Sequence, residues 1–152
     1  MKKVAACLIV AMAVIFGVAL ISQAATLDDA KTLAEKAAAF VKANGKEKGM
    51  AEIGNPKGQF VKDDLYVVIQ NTKGICLANP MNPGMNGLDS LNLKDPTGKL
   101  FMQEMVSIVE KTGSGWASYT WTNPATKKLQ PKKVWVQKVE GTDLFTLCGV
   151  FQ

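Results

Sequence analysis

The C-terminal part of the chain decides the fold, and residues 115–151 read GWASYTWTNPATKKLQPKKVWVQKVEGTDLFTLCGVF. Three runs in this stretch are rich in β-branched and aromatic residues, and turn-forming Asn, Pro, Gly and Asp separate them. Such runs are typical of β-strands. The predicted strands span residues 116–122, 132–140 and 144–151. Because short connections join consecutive antiparallel strands, the stretch predicts a three-stranded meander.

A long helix is predicted at the other end of the domain. Thr26 is a suitable N-cap, and apolar residues recur at helical spacing from Leu27 to Val41 until Gly45 ends the pattern. The apolar face consists mainly of alanines, which suits either packing within the domain or a seam between two copies of the chain. A shorter helical segment is predicted at residues 46–53.

A hairpin and a second long helix complete the elements. The hairpin is predicted from residues 65–70 and 75–78, and the helix from residue 97 to a Gly-rich stop at 112–115. The order helix, hairpin, helix and meander lacks the alternation of a parallel sheet. It predicts an α+β domain with helices packed against one antiparallel sheet. Residues 79–96 form a loop too long for a plain connection, and such loops are usually functional.

The first 24 residues are predicted to be a secretory signal peptide. A basic start precedes an uncharged apolar run at residues 4–21, and small residues then occupy the −3 and −1 positions of a cleavage site after Ala24. An uncleaved inner-membrane anchor is the alternative, because the run is near the lower limit for spanning a bilayer. We therefore expect a periplasmic protein with a single domain at residues 25–152.

The composition excludes several classes of function. The 152 residues include neither histidine nor arginine, and all 18 basic residues are lysines. Without histidine there is no Ser-His-Asp triad, no Cys-His pair and no histidine-containing metal site. We therefore expect a protein that is not an enzyme and has no catalytic residue, metal or cofactor. The net charge of +5 is modest and scattered, which argues against a nucleic-acid partner.

Two cysteines remain after the predicted cleavage. Cys76 and Cys148 are 72 positions apart, and in an oxidising compartment they suit either a disulfide or two buried free thiols. No CxxC or CxxCH pattern occurs, which excludes a thioredoxin-type redox site and a c-type haem attachment.

Several short motifs follow one another along the chain. They are GQFVKDDLYVV (58–68), NTKG (71–74), ANP (78–80), DPTGK (95–99), GWASYTWTNP (115–124), PKKVWV (131–136) and CGVF (148–151). Their order and spacing resemble the single Cache domains of bacterial extracytoplasmic sensors. The resemblance implies a PAS-like fold, with a long N-terminal helix packed on a five-stranded antiparallel sheet. In such a sheet Cys76 and Cys148 would lie about 9.6 Å apart, too far for a disulfide, so free thiols are predicted.

The resemblance also implies a function. Domains of this kind bind small extracytoplasmic ligands, often short carboxylates, between the sheet and the loops. No second transmembrane segment or signalling module is apparent in the sequence, so signal transduction is expected to pass through a separate partner such as a membrane sensor kinase or chemoreceptor. The alternative is a structural or partner-binding module without a small ligand, including a homodimer formed through the N-terminal helix.

Three candidate ligand-binding residues lie on different elements. Lys132 follows Pro131 at the start of a strand, where its ammonium would attract a carboxylate, although a solvated lysine among other lysines is the alternative. Tyr66 lies where the resemblance places a ligand-facing aromatic residue. Asn79 stands at the mouth of the long loop, where members of the family often have histidine. Because asparagine cannot titrate near neutral pH, a neutral ligand also suits this chain.

Three aromatic residues complete the predicted site. Tyr119 and Trp121 share one face of their strand because side chains alternate with period two, whereas Trp116 points to the other face and is predicted to be core. Trp135 lies on the next strand. With Tyr119 and Trp121, Trp135 is predicted to form the walls of a small, largely apolar pocket with a few hydrogen-bonding groups.

Overall fold

The computed structural model describes residues 24–152, so the predicted signal peptide lies outside the described residues except for Ala24. The helices are α1 (Leu27–Asn44), α2 (Lys46–Ile53) and α3 (Phe101–Thr112). The strands are β1 (Val61–Lys62), β2 (Leu65–Asn71), β3 (Cys76–Ala78), β4 (Ser114–Thr122), β5 (Leu129–Lys138) and β6 (Leu144–Phe151). The predicted α+β class is confirmed.

One antiparallel sheet with the strand order β1-β2-β6-β5-β4 forms the centre of the domain, and β3 also pairs with β2. The sheet has one strand more than the five predicted. The additional strand, β1, is only two residues long and pairs with the start of β2 across a tight turn at Asp63 and Asp64. Asp63 has a left-handed φ of 51°, and two residues are too few to give a periodic signal.

The two faces of the sheet carry different cores because side chains alternate along each strand. On β2, Leu65, Val67 and Ile69 belong to the cluster that packs with α1, whereas Tyr66 and Val68 belong to the cluster that packs with α3. The run is buried on both faces, which explains why its sequence is almost continuously apolar.

Helix α1 covers one face through its alanine stripe. Thr26 and Asp29 form a reciprocal capping box at its start, and the buried residues are Ala30, Ala34, Ala37, Ala38 and Val41. The hydroxyl of Thr146 on β6 donates to the Ala34 carbonyl at 2.8 Å, which ties the helix to the sheet. The alanine face is therefore a packing face within the domain. The domain's own sheet covers this face, so it does not form a homodimer seam, and a homodimer through other faces of the N-terminal helix stays a prediction.

The two cysteines lie on opposite sides of the sheet. Cys76 on β3 belongs to the cluster under α3, and Cys148 on β6 belongs to the cluster under α1. Both are buried free thiols. Strand β2 lies between their strands, so a disulfide would have to cross the sheet as well as the spacing of two strands.

The long loop before α3 is fastened to the edge of the sheet by one carboxylate. Asp95 accepts hydrogen bonds from the backbone N–H groups of Thr97, Lys99 and, across the gap to β4, Thr120. Those bonds, together with one from the Thr97 hydroxyl, hold the pKa of Asp95 well below its ordinary value. This clamp positions the start of α3 above the sheet.

Among residues 24–152, no helix is long and apolar enough to cross a membrane.

Candidate functional site

A small cavity lies between the sheet, α3 and the long loop. Its volume is about 40 Å³, which corresponds to a few water-sized positions. Strands β2, β4, β5 and β6 form its floor, and α3 and the loop form its roof. The lining residues are Tyr66, Val68, Gln70, Cys76, Asn79, Met85, Ser90, Phe101, Met102, Met105, Tyr119, Trp121, Lys132 and Leu147. Only a short ligand fits, although flexible methionine side chains in the roof can adapt to its shape.

Lys132 supplies the only charged side chain in this lining. It is 2% exposed, and its ammonium donates a hydrogen bond to the Tyr66 hydroxyl at 2.9 Å. The Nζ atom also lies 4.1 Å from the centroid of the Tyr66 ring and 4.6 Å from that of Phe151. Strand alternation causes this burial, because Lys132 shares its face with Val134 and Val136 of the α3-side core.

The charge of Lys132 has no counter-ion within the described part of the chain. No carboxylate between residues 24 and 152 lies within 4.0 Å of its Nζ atom. Burial lowers the pKa of Lys132 to about 8, so the ammonium still predominates at neutral pH. A buried cation without an anion is costly, and an anionic ligand would offset that cost.

Tyr66 adds a second donor to the same end of the cavity. Burial raises its pKa to about 12, so the phenol keeps its proton. Its oxygen accepts from Lys132, which leaves the O–H free to donate to a ligand. An ammonium and a phenol side by side form a suitable receptor for one carboxylate group.

Aromatic rings close the cavity beside these donors. Phe101 stacks on Tyr119 with a centroid distance of 4.5 Å and an interplanar angle of 9°. Trp121 meets both rings edge-on, at 5.5 Å from Phe101 and 5.9 Å from Tyr119. Burial raises the pKa of the Tyr119 phenol far above its ordinary value, so this residue contributes a neutral hydroxyl to an apolar wall.

Asn79 contributes a neutral donor from the loop. Its Oδ1 atom accepts from the backbone N–H groups of Met81 and Asn82 at 3.1 and 3.0 Å. Two donors fix the orientation of the amide, so the Nδ2 group is the end that remains available, and Asn79 lines the cavity. Asn79 therefore forms a turn through its Oδ1 atom, and its role as a donor to a ligand stays a prediction.

The structure brings together five of the six predicted site residues, Tyr66, Asn79, Tyr119, Trp121 and Lys132. Trp135 is the exception. It lies on the α1 side, where its ring meets Trp116 edge-on at 5.2 Å and the Lys31 ammonium lies 4.8 Å from its centroid. Trp135 and Lys132 are three positions apart on β5, and an odd separation places two side chains on opposite faces. The placement of Trp135 in the pocket was wrong.

Sequence reasoning also missed polar and flexible lining residues. Gln70 and Ser90 are 6% and 1% exposed and lie in the cavity wall. Gln70 has the parity of Tyr66 on β2, and a polar residue in an otherwise apolar run was a readable signal. Ser90 and Met102 gave no such signal. The direction of a loop side chain, or of one side chain on a helix, cannot be predicted without the fold. Among residues 24–152, no group of three or more acidic or cysteine side chains could hold a metal ion.

Known proteins share this architecture. The family model for single Cache domain 2 matches residues 10–152. A solved periplasmic sensor domain of a chemotaxis protein is 23% identical with a TM-score of 0.65, and the match covers 82% of this chain and 89% of that one. A Cache chemosensory domain, whose structure is described as the basis for carboxylic acid recognition, is 24% identical with a TM-score of 0.64, over 82% and 87% of the two chains.

A third structure comes from a methyl-accepting chemotaxis protein of Vibrio parahaemolyticus. It is 18% identical with a TM-score of 0.65, over 82% of this chain and 85% of that one. At these identities the structures show a shared fold, while the family model spans almost the whole sequence. The helix-covered sheet, the cavity under α3 and the extent of the family match lead to one conclusion: this chain belongs to the single Cache domain family, whose members are sensor and ligand-binding modules.

Proposed function

We propose that this protein is an extracytoplasmic sensing or binding domain for a short organic acid. One observation carries the proposal: a buried ammonium, that of Lys132, faces a small cavity and has no carboxylate partner within residues 24–152. The donors around it are the Tyr66 hydroxyl and the Asn79 amide, and the walls are apolar and aromatic. Such a lining favours a ligand with one carboxylate and a short carbon chain.

The geometry suits binding rather than turnover. The Lys132 ammonium predominates at neutral pH, and the lining contains no carboxylate to act as a general base. Cys76, the thiol in the lining, has a pKa that burial raises to about 11, which leaves almost no thiolate. The groups present can hold an anion and exclude water.

We further propose that the domain works in the periplasm and passes its signal to a membrane sensor kinase or chemoreceptor. Family membership supports this proposal, because Cache domains are sensor modules. A homodimer that leaves the α1–sheet contact intact is compatible with the fold. Crosslinking in the producing cell, with and without the acid, measures whether a membrane partner exchanges with ligand.

The central test is a thermal-unfolding and calorimetric screen of the protein with acetate, propionate, lactate, pyruvate and C4 diacids. A ligand at about 100 times its Kd adds about 2.7 kcal/mol to the free energy of unfolding. The melting temperature should then rise on the order of 5–10 °C. Lys132→Met should weaken binding on the order of 100-fold, because it removes a charge-assisted hydrogen bond in a buried site.

Lys133→Met is the matched control. It removes the same charge from the next residue of β5, where Lys133 lies on the other face with its Nζ atom 5.4 Å from the Trp116 ring centroid. The control variant should keep the affinity for the acid within about twofold. No response to any acid, or an equal loss in the two variants, would refute the carboxylate site.

A further inference from the structure

The cavity has a second polar end, formed by Gln70 and Ser90. Tyr66 and Gln70 share one face of β2 and are four residues apart, which places their Cα atoms about 13 Å from each other. The carboxylate receptor at Lys132 and Tyr66 therefore lies near one end of the cavity, and the Gln70 side chain near the other. Gln70 and Ser90 are both more than nine-tenths buried.

The hydrogen bonds at this end have a defined direction. The Ser90 hydroxyl lies 2.8 Å from the Gly74 carbonyl oxygen and 3.4 Å from Gln70 Oε1, the end of the amide that is turned toward Ser90 in the structure. A carbonyl oxygen can only accept a hydrogen bond, so the Ser90 hydroxyl donates its single proton to the Gly74 carbonyl oxygen. The Ser90 oxygen can then only accept from Gln70. We infer the reverse amide orientation, with the Gln70 NH₂ group toward Ser90, because it satisfies both contacts. The two ends of a carboxamide are nearly isosteric, and their hydrogen bonds decide between them.

This chain of hydrogen bonds leaves the Gln70 carbonyl oxygen without a partner. No other hydrogen bond of the Gln70 side chain occurs among residues 24–152, and Gln70 lines the cavity. A buried carbonyl oxygen favours a hydrogen-bond donor as its partner. Lys132, Tyr66 and Asn79, by contrast, each offer a donor to the cavity. The cavity thus presents the Lys132 and Tyr66 donors at one end and, in this orientation, the Gln70 acceptor at the other.

We propose that Gln70, oriented by Ser90, is a specificity-determining residue that selects short acids carrying a hydroxyl group. The inference rests on the proposed function, because the carboxylate of the acid must be held at Lys132. A hydroxyl donates to the Gln70 oxygen at no cost in charge. An ammonium would donate equally well, but the lining holds no carboxylate to neutralise it, so hydroxy acids are favoured over amino acids.

Acids with three carbons test this proposal at constant size. Calorimetric titration of the protein would compare propionate, pyruvate, alanine, lactate and 3-hydroxypropionate, which differ only in the substituent and its position. At least one of the two hydroxy acids should bind about tenfold more tightly than propionate, pyruvate and alanine. Pyruvate is the informative competitor, because its keto oxygen accepts but cannot donate. Pyruvate binding as tightly as the better hydroxy acid would overturn the inferred orientation of Gln70.

A variant separates the two ends of the cavity. Gln70→Met keeps the length of the side chain and removes the acceptor, so it should abolish the roughly tenfold preference for the hydroxy acid over propionate. The comparison of acids in the unmodified protein remains decisive even if this variant does not fold. If propionate binds and Lys132→Met removes it, but hydroxy acids bind no better, the specificity inference fails alone. If none of the five acids binds and none of the other acids of the wider screen does, the proposed function fails with it.

Discussion

The two faces of the central sheet carry different kinds of side chain. On the α1 face, small side chains let the helix lie close to the strands, and Ala30, Ala34 and Ala37 are fully buried. On the α3 face, the same strands present aromatic rings, a buried lysine and a cavity. Neighbouring residues of a strand therefore belong to different functions, as Lys132 and Lys133 do. The α1 face is closely packed, whereas the α3 face has a cavity and a buried lysine with no carboxylate partner among residues 24–152.

The largest expected effect comes from the charge on the cavity face. The pKa of Lys132 is about 8 in the ligand-free protein, below the ordinary value of 10.5. Carboxylate binding needs the ammonium, so the affinity should be constant between about pH 6 and 7.5, where the acid is also ionised, and should fall by up to tenfold per pH unit above about 8. At pH 10 the loss approaches about 100-fold, or about 2.7 kcal/mol. Titration calorimetry in buffers of matched ionic strength measures this slope.

The Lys132→Met variant is the control for that profile, and its residual binding should show no such slope. The ligand-free protein should show the opposite trend in stability. Between about pH 8 and 10.5 the unfolded chain still holds the proton that folded Lys132 has released, so the free energy of unfolding should rise with pH relative to the variant. Tyr66, with its raised pKa, acts in the other direction, but only from about pH 10 upward, and the variant keeps that contribution. A flat affinity profile through pH 8–10 would contradict the role of the ammonium.

The second effect concerns the α1 face. Ala37→Leu adds three carbons where the helix meets the sheet and where Ala37 is 0% exposed. Overpacking of this kind should lower the free energy of unfolding by about 1–3 kcal/mol, while the affinity of the folded protein for an acid stays unchanged. Urea unfolding followed by tryptophan fluorescence measures the stability.

The same substitution at Ala39, an exposed position of α1, is the matched control and should change stability by less than about 0.5 kcal/mol. Equal effects at the two positions would show that helix propensity, and not the contact with the sheet, decides the result. A loss of acid binding in the Ala37 variant, at a temperature where it is folded, would mean that the two faces are coupled.

The sequence predicted most of the fold because each element has a local cause. Periodicity located α1 and α3, Thr26 and Gly113 marked helix ends, and turn residues separated β4, β5 and β6. Strand β1 was not predicted, because two residues are too few to show an alternating pattern. The pairing of β2 with β6 brings together residues 67 and 148, and no local pattern encodes such a contact.

The lining residues could be predicted where the alternation of side chains along a strand was applied. The prediction failed where that rule was not applied. Tyr119 and Trp121 are two positions apart, and both lie in the cavity wall. The same rule separates Lys132 from Trp135 and should have excluded Trp135. Gln70 could be identified from its parity with Tyr66, whereas Ser90 lies in a loop and is held by two hydrogen bonds to the Gly74 carbonyl oxygen, which no local pattern predicts. The lining residues that local spacing did not predict are therefore the ones whose positions depend on tertiary contacts.

The smallest expected effect tests the correction of Trp135. Trp135→Phe should leave the affinity for a short acid within about twofold, because the residue packs with Trp116 on the α1 side and contacts none of the cavity-lining donors. Trp121→Leu, on the cavity side, should weaken binding by several-fold, since it removes a ring that meets Phe101 and Tyr119 edge-on. Calorimetric titration of both variants, each checked for its melting temperature, gives the comparison. A larger loss of affinity in the Trp135 variant than in the Trp121 variant would mean that strand parity does not decide which aromatic residues meet the ligand, and the division between the two faces would fall with it.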